Sequence, residues 1–166
     1  MRRLITTTIL AAVTVALLGG AALADKGTKA TNFTVRDIKG KTVRLSDYKD
    51  KALILSFWAV WCKPCLVELK FLNKMYKKYK GQGFEMLAIS IDGPETQARV
   101  KPLVRSKKFK FPVAIDKNKR IVKLYNPKNA APYSVFNNKG VVIKKREGFQ
   151  VSEKKEIEKE IQEMLK

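Results

Sequence analysis

Ala52-Leu53-Ile54-Leu55-Ser56-Phe57-Trp58-Ala59-Val60-Trp61-Cys62-Lys63-Pro64-Cys65 joins a nearly continuous apolar run to a closely spaced pair of cysteines. Residues 52–58 lack polar alternation, as expected of a strand buried on both faces. Beyond them Cys62, Cys65, Leu66, Leu69, Leu72, Met75, Tyr76 and Tyr79 recur at spacings of three and four, which is one face of a helix. Pro64 falls in the first turn, where a missing N–H costs little, and Gly81 and Gly83 mark the end. A strand running straight into a helix places both cysteines at the helix N-terminus.

Working outward, residues 84–91 read as a second buried strand. Asp92-Gly93-Pro94 then turns into a helix expected to run to about residue 108, kinked or restarted at Pro102. A short strand at 111–115 and a short helical segment at 121–125 follow. Residues 132–136 and 141–145 read as strands joined by a turn at 137–140. Residues 152–166 form a last helix, capped by Ser152, with apolar Ile157, Ile161, Met164 and Leu165. Upstream, 33–35 and 42–45 alternate as a hairpin around a turn at 37–41, and 46–48 read as a short capped turn. The order predicts an α/β domain: parallel strands with right-handed crossovers, closed by an antiparallel hairpin.

The chain has 166 residues, enough for one domain. Arg2 and Arg3, an apolar run over 4–18 and the small-x-small Ala22-Leu23-Ala24 form a secretory pattern, predicting a signal peptide over 1–24. The alternative is an uncleaved anchor. Either places the following domain outside the cytoplasm, periplasmic or extracytoplasmic. Residues 25–31 read as a polar linker and 32–166 as the folded domain. The formal charge is +20; taking Arg2 and Arg3 from the 35 basic residues leaves 33 against 15 acidic, a formal +18. The basic residues are spread along every segment as solvated faces, which argues against a nucleic-acid partner and leaves docking to an acidic protein or an anionic membrane.

Cys62 and Cys65 are the only cysteines, and there is no histidine. Histidine-dependent catalysis and c-type haem attachment are thereby excluded, and neither a metal nor a cofactor is expected. Two thiols at this spacing can close a small reversible disulfide, Cys62–Cys65. The helix N-terminus and neighbouring Lys63 favour a thiolate at Cys62, the expected nucleophile. Cys65, one turn inward, is placed to resolve a mixed disulfide. Trp61 would flank the pair as an apolar platform. Two bland readings compete: a purely structural bridge, which over so tiny a loop would constrain the unfolded chain little, and half a zinc site completed by a second chain.

The stretch from Phe57 to Cys65 resembles the active-site segment of the thioredoxin superfamily, and within it the exported TlpA/ResA-type thiol-disulfide oxidoreductases, over residues 32–166. Asp37-x-x-Gly40-x-x-Val43-x-Leu45, Glu68 three residues after the second cysteine, and the insertion before the last hairpin are similar to that group. The resemblance implies a thioredoxin-like fold: a central mixed sheet flanked by helices, with an N-terminal hairpin and a central insertion. It implies a cis bond at Ala131–Pro132, with Ala131, Pro132, Trp61, Lys63 and Pro64 bordering the substrate, and Glu68 as acid/base for the buried thiol. Ser56 stands where thioredoxin has a buried aspartate. Ala131 and Tyr133 depart from the usual β-branched and small hydroxyl residues around the cis-proline.

The function implied is dithiol-disulfide exchange with exported proteins, as a reductant, for instance of apocytochrome c cysteines in cytochrome c maturation. A membrane thiol-electron transporter would supply the electrons, and the protein is expected to be a monomer. A peroxiredoxin-like thiol peroxidase is an alternative, opposed by Trp58-Ala59-Val60 where a threonine-assisted cysteine would need its threonine. A copper chaperone or non-enzymatic binding module on the same fold is another, opposed by the short cysteine spacing and the lack of histidine.

Overall fold

The computed structural model describes residues 27–166, so the expected signal segment lies outside the described residues. The described elements run β1 (Thr28–Lys29), β2 (Thr34–Arg36), β3 (Thr42–Arg44), β4 (Ala52–Trp58), α1 (Lys63–Tyr79), β5 (Phe84–Ser90), α2 (Val100–Ser106), β6 (Val113–Ile115), α3 (Arg120–Lys123), β7 (Tyr133–Asn138), β8 (Val141–Glu147) and α4 (Lys154–Met164). Six strands form one mixed sheet in the order β1-β8-β7-β4-β5-β6, while β2 and β3 pair separately as the N-terminal hairpin. A bridge between Asp37 and Ala114 ties that hairpin to β6.

β4 is central, parallel to β5 and antiparallel to β7, and all seven of its residues are buried, which accounts for its unbroken apolar sequence. α1 lays Cys65, Leu69, Leu72 and Tyr76 into the core. α4 docks beside it, where Tyr79 Oη donates to Glu158 Oε1 at 2.8 Å and Gln162 Nε2 donates to Tyr79 Oη at 2.9 Å. Arg146 on β8 reaches across to Glu153, Glu156 and Glu160, and Lys144 pairs with the last two. The C-terminal ends of β4, β5 and β6 and the N-terminal end of β7 share one edge of the sheet, since Phe57 pairs with Ile89 and Tyr133, and Ser90 with Ile115. Loops at such an edge are where open α/β sheets carry their sites.

Several expectations are corrected. Two residues read as polar linker, Thr28 and Lys29, form β1 by pairing with Val142 and Val141 on the edge of β8. The helix after Asp92 is shorter than expected: a 3₁₀ turn at Gln97–Arg99 leads into α2, so Pro102 sits in the first turn of the helix, where its missing N–H costs little. Ser152 does not cap the last helix. A 3₁₀ turn over Val151–Glu153 precedes α4 instead, closed by the Glu153 carboxylate accepting from Gln150 N–H at 2.6 Å. β7 runs two residues further than expected, so the hairpin turn tightens to Lys139-Gly140. Both have positive φ, 50° and 87°, as a two-residue turn requires.

Candidate active site

The site begins with the turn that converts β4 into α1. Cys62 N–H donates to Ala59 O at 3.1 Å, and Cys62 is the N-cap of α1, its sulfur accepting from Cys65 N–H at 3.3 Å. Cys62 and Cys65 are joined as a disulfide. The two sulfurs differ in environment: Cys62 keeps a small exposed surface (6 %), less than its place at the helix start suggested, and Cys65 keeps none (0 %). On reduction, a sulfur at Cys62 meets the free N–H groups of a 17-residue helix, which favour its thiolate. Trp61 stands out beside it, 58 % exposed, and Lys63 and Pro64 are exposed as well.

Glu68 lies one turn after Cys65 on the same face and is 3 % exposed. Its Oε1 accepts from Ser134 Oγ at 2.6 Å, while Oε2 has no partner. Burial pushes its carboxyl up to about 7; the Ser134 hydroxyl opposes the shift, Glu153 adds to it, and the Ser56 hydroxyl and Arg146 oppose it further. Ser56 Oγ makes no hydrogen bond of ordinary geometry, although Ser56 pairs with Ser134 across β4 and β7. A neutral Glu68 therefore has an acceptor nearby, and an ionised one has a single hydroxyl donor.

On the far side of the turn, the Ala131–Pro132 bond is cis and leads directly into β7. Ala131 is half-buried and Pro132 buried. Tyr133 does not enter the substrate side. It is buried with its ring 5.7 Å from that of Phe57, and its hydroxyl donates to Tyr125 O at 3.0 Å. Tyr125, just after α3, lies against Phe57 at 5.9 Å. The unusual Tyr133 thus fastens the insertion to the sheet.

Two residues were missed in the sequence. Ser134 was read only as part of a strand, though a serine within an apolar strand in register with Ser56 was the available signal. Asp92 was read as a turn residue, but its carboxylate is buried and accepts from Val60 N–H, just ahead of the cysteines. Among the described residues no cluster of three or more histidines, cysteines and carboxylates is placed to hold a metal ion.

A thioredoxin-like mixed sheet with a Cys-x-x-Cys pair at the end of its central strand defines a redox class. The chain belongs to the AhpC/TSA family, whose model matches residues 26–159, and it is a thiol-disulfide oxidoreductase. It is 41 % identical to the thiol-disulfide oxidoreductase ResA of Bacillus thuringiensis subsp. konkukian (strain 97-27), over 78 % of this chain and 74 % of that one. It is 32 % identical to ResA of Bacillus subtilis (strain 168), over 78 % and 71 % of the two chains. Among solved structures, one assigned as the thiol:disulfide interchange protein DsbE of Chlorobium tepidum matches with a TM-score of 0.79 and 31 % identity, covering 86 % of this chain and 99 % of that one. The exposed lipoprotein thioredoxin Etrx1 of Streptococcus pneumoniae matches with a TM-score of 0.69 and 30 % identity, covering 80 % and 99 %.

Proposed function

We propose that this protein reduces disulfides of exported proteins, apocytochrome c cysteines among them, outside the cytoplasm. Cys62 thiolate attacks one sulfur of the substrate disulfide, and the other sulfur leaves as a thiolate that takes up a proton. Cys65 then loses its proton to Glu68, attacks Cys62 Sγ and releases the substrate as a dithiol; two electrons have passed from the Cys62–Cys65 dithiol to the substrate. Trp61, Lys63, Pro64, Ala131 and Pro132 border the incoming chain, which pairs through its backbone. A membrane thiol-electron transporter restores the dithiol. The formal charge of +20 favours docking to an acidic partner or an anionic membrane surface.

The observation that carries this reading is the unequal burial of two bonded cysteines, with a buried carboxyl near neutrality one turn beyond the inner one. Expression of Cys65→Ser with its leader should trap exported proteins as mixed disulfides through Cys62, resolved by mass spectrometry after acid quench. If no adduct forms while Cys65→Ser is folded and exported, the exchange mechanism fails. A reduction potential near those of periplasmic oxidants would instead reverse the direction of electron flow.

A further inference from the structure

Asp92 is fully buried (0 %), yet the exchange steps above do not use it. Its carboxylate collects donors from three places. Val60 N–H lies 3.0 Å from Oδ2 and 3.3 Å from Oδ1, Ser90 Oγ donates to Oδ2 at 2.8 Å, and Thr96 Oγ1 donates to Oδ1 at 2.6 Å. Asp92 N–H donates back to Ser90 Oγ at 3.1 Å. Burying a carboxylate is costly unless its oxygens are matched, and both are matched here. The Val60 contact falls inside the turn that Cys62 N–H closes on Ala59 O, and Ile91 N–H adds a tie to Trp58 O at 2.8 Å. The end of β5 therefore holds the turn that presents Cys62.

A neutral acceptor would hold Val60 N–H as well; a carboxylate also brings a charge. Consecutive Cα atoms are about 3.8 Å apart, so Val60 and Cys62 lie within roughly 8 Å of each other. We propose that Asp92 is a positioning residue for Cys62: it pins the turn through Val60, and its negative charge opposes thiolate at Cys62. Two effects then meet at one sulfur. The helix N-terminus favours the thiolate and makes Cys62 nucleophilic, while Asp92 keeps the reduced pair from becoming too stable. A dithiol whose thiolate is strongly stabilised is a poor electron donor, so Asp92 biases the pair toward giving electrons away. This deepens the exchange reading of Cys62–Cys65 and rests on it.

The test is the equilibrium between the mature chain and defined mixtures of reduced and oxidised dithiothreitol at pH 8, read by mass shift after thiol alkylation. Asp92→Asn keeps an acceptor for Val60 N–H, and the Ser90 and Thr96 hydroxyls can turn to accept from its amide. With the carboxylate on Val60 N–H and the sulfur two residues further on, the two lie on the order of 10 Å apart, and a unit charge at that distance, in surroundings of effective dielectric near 20, shifts a thiolate equilibrium by roughly tenfold or somewhat more. D92N should therefore be reduced about tenfold more readily, about 30 mV less negative. Thr96→Val removes a donor that partly neutralises the carboxylate and should shift the equilibrium the other way, about twofold. Val104→Ala, a buried change in α2, should lower thermal stability without moving the equilibrium. D92N within twofold of wild type overturns the proposal, as does a shift of the same sign and size in V104A. Should D92N fold poorly, the sign of the T96V shift decides alone. A wild-type bridge that excess dithiothreitol does not open in the folded protein would instead sink the exchange reading itself.

Discussion

Glu68→Gln should make the protein more stable at alkaline pH and scarcely change it in acid. Burial raises the Glu68 carboxyl from 4.5 in the free side chain to about 7, so the folded state holds a proton that the unfolded chain has already lost. Between those values the folded state binds more protons than the unfolded one, and stability falls as pH rises. Below 4.5 both states are protonated and the penalty vanishes; above 7 both are ionised and it is complete. Linkage over this window gives a penalty of about 1 kcal/mol at pH 5 and about 3 kcal/mol at pH 8. Glutamine is close in shape to the protonated acid, can accept from Ser134 Oγ through its carbonyl, and carries no titratable proton. A constant cost for its buried amide cancels between the two pH values. The stability of E68Q relative to wild type should thus rise by about 2 kcal/mol from pH 5 to pH 8. Urea unfolding of both oxidised proteins at pH 5, 6, 7 and 8 measures this, the disulfide being kept closed so that cysteine titration does not intrude. A relative gain below about 1 kcal/mol, or one that grows toward acid, would refute a buried carboxyl titrating near neutrality.

Tyr133 and Arg146 offer two tests of how the rest of the site is held. Tyr133→Phe keeps the ring on Phe57 and loses the bond to Tyr125 O, which still accepts from Lys145 Nζ at 2.9 Å; it should cost about 1 kcal/mol in urea unfolding. Tyr133→Ser removes the ring as well and should cost about 3 kcal/mol or more; equal losses in the two variants would contradict the packing role. Arg146→Leu leaves Glu160, only 15 % exposed in its side chain, paired with Lys144 alone. Amide exchange in α4 should quicken several-fold while the β4 and β5 amides keep their protection, and a loss spread evenly over the sheet would oppose a local docking role.

What could be read in the sequence was local. The run over 52–58 announced a strand buried on both faces, and the apolar spacing from Cys62 to Tyr79 announced the helix behind it; both effects act over neighbours in the chain. Glu68 could be placed one turn from Cys65 by helical spacing alone, but its raised carboxyl could not, because the burial behind it involves β7, contributed more than sixty residues later. Asp92 shows the limit most plainly. In sequence, Asp92-Gly93-Pro94 is turn chemistry, and nothing local distinguishes a solvated turn aspartate from a buried one. The parallel pairing of β4 and β5 is what decides it, since Trp58 and Ser90 end side by side and the residue two past Ser90 meets the one two past Trp58. The sequence pattern predicted both strands but not their relative register, and register alone turns a turn residue into a carboxylate beneath the nucleophile's loop. The same holds for Tyr133: in sequence it is only a departure from the small hydroxyl residue usual after the cis-proline, and the pairing with Phe57 is what turns its ring to the opposite face of the sheet from Ser134 and Glu68. Redox chemistry at Cys62 and Cys65 is thus written locally, while the groups that set its proton supply and its charge are brought in by strand pairing.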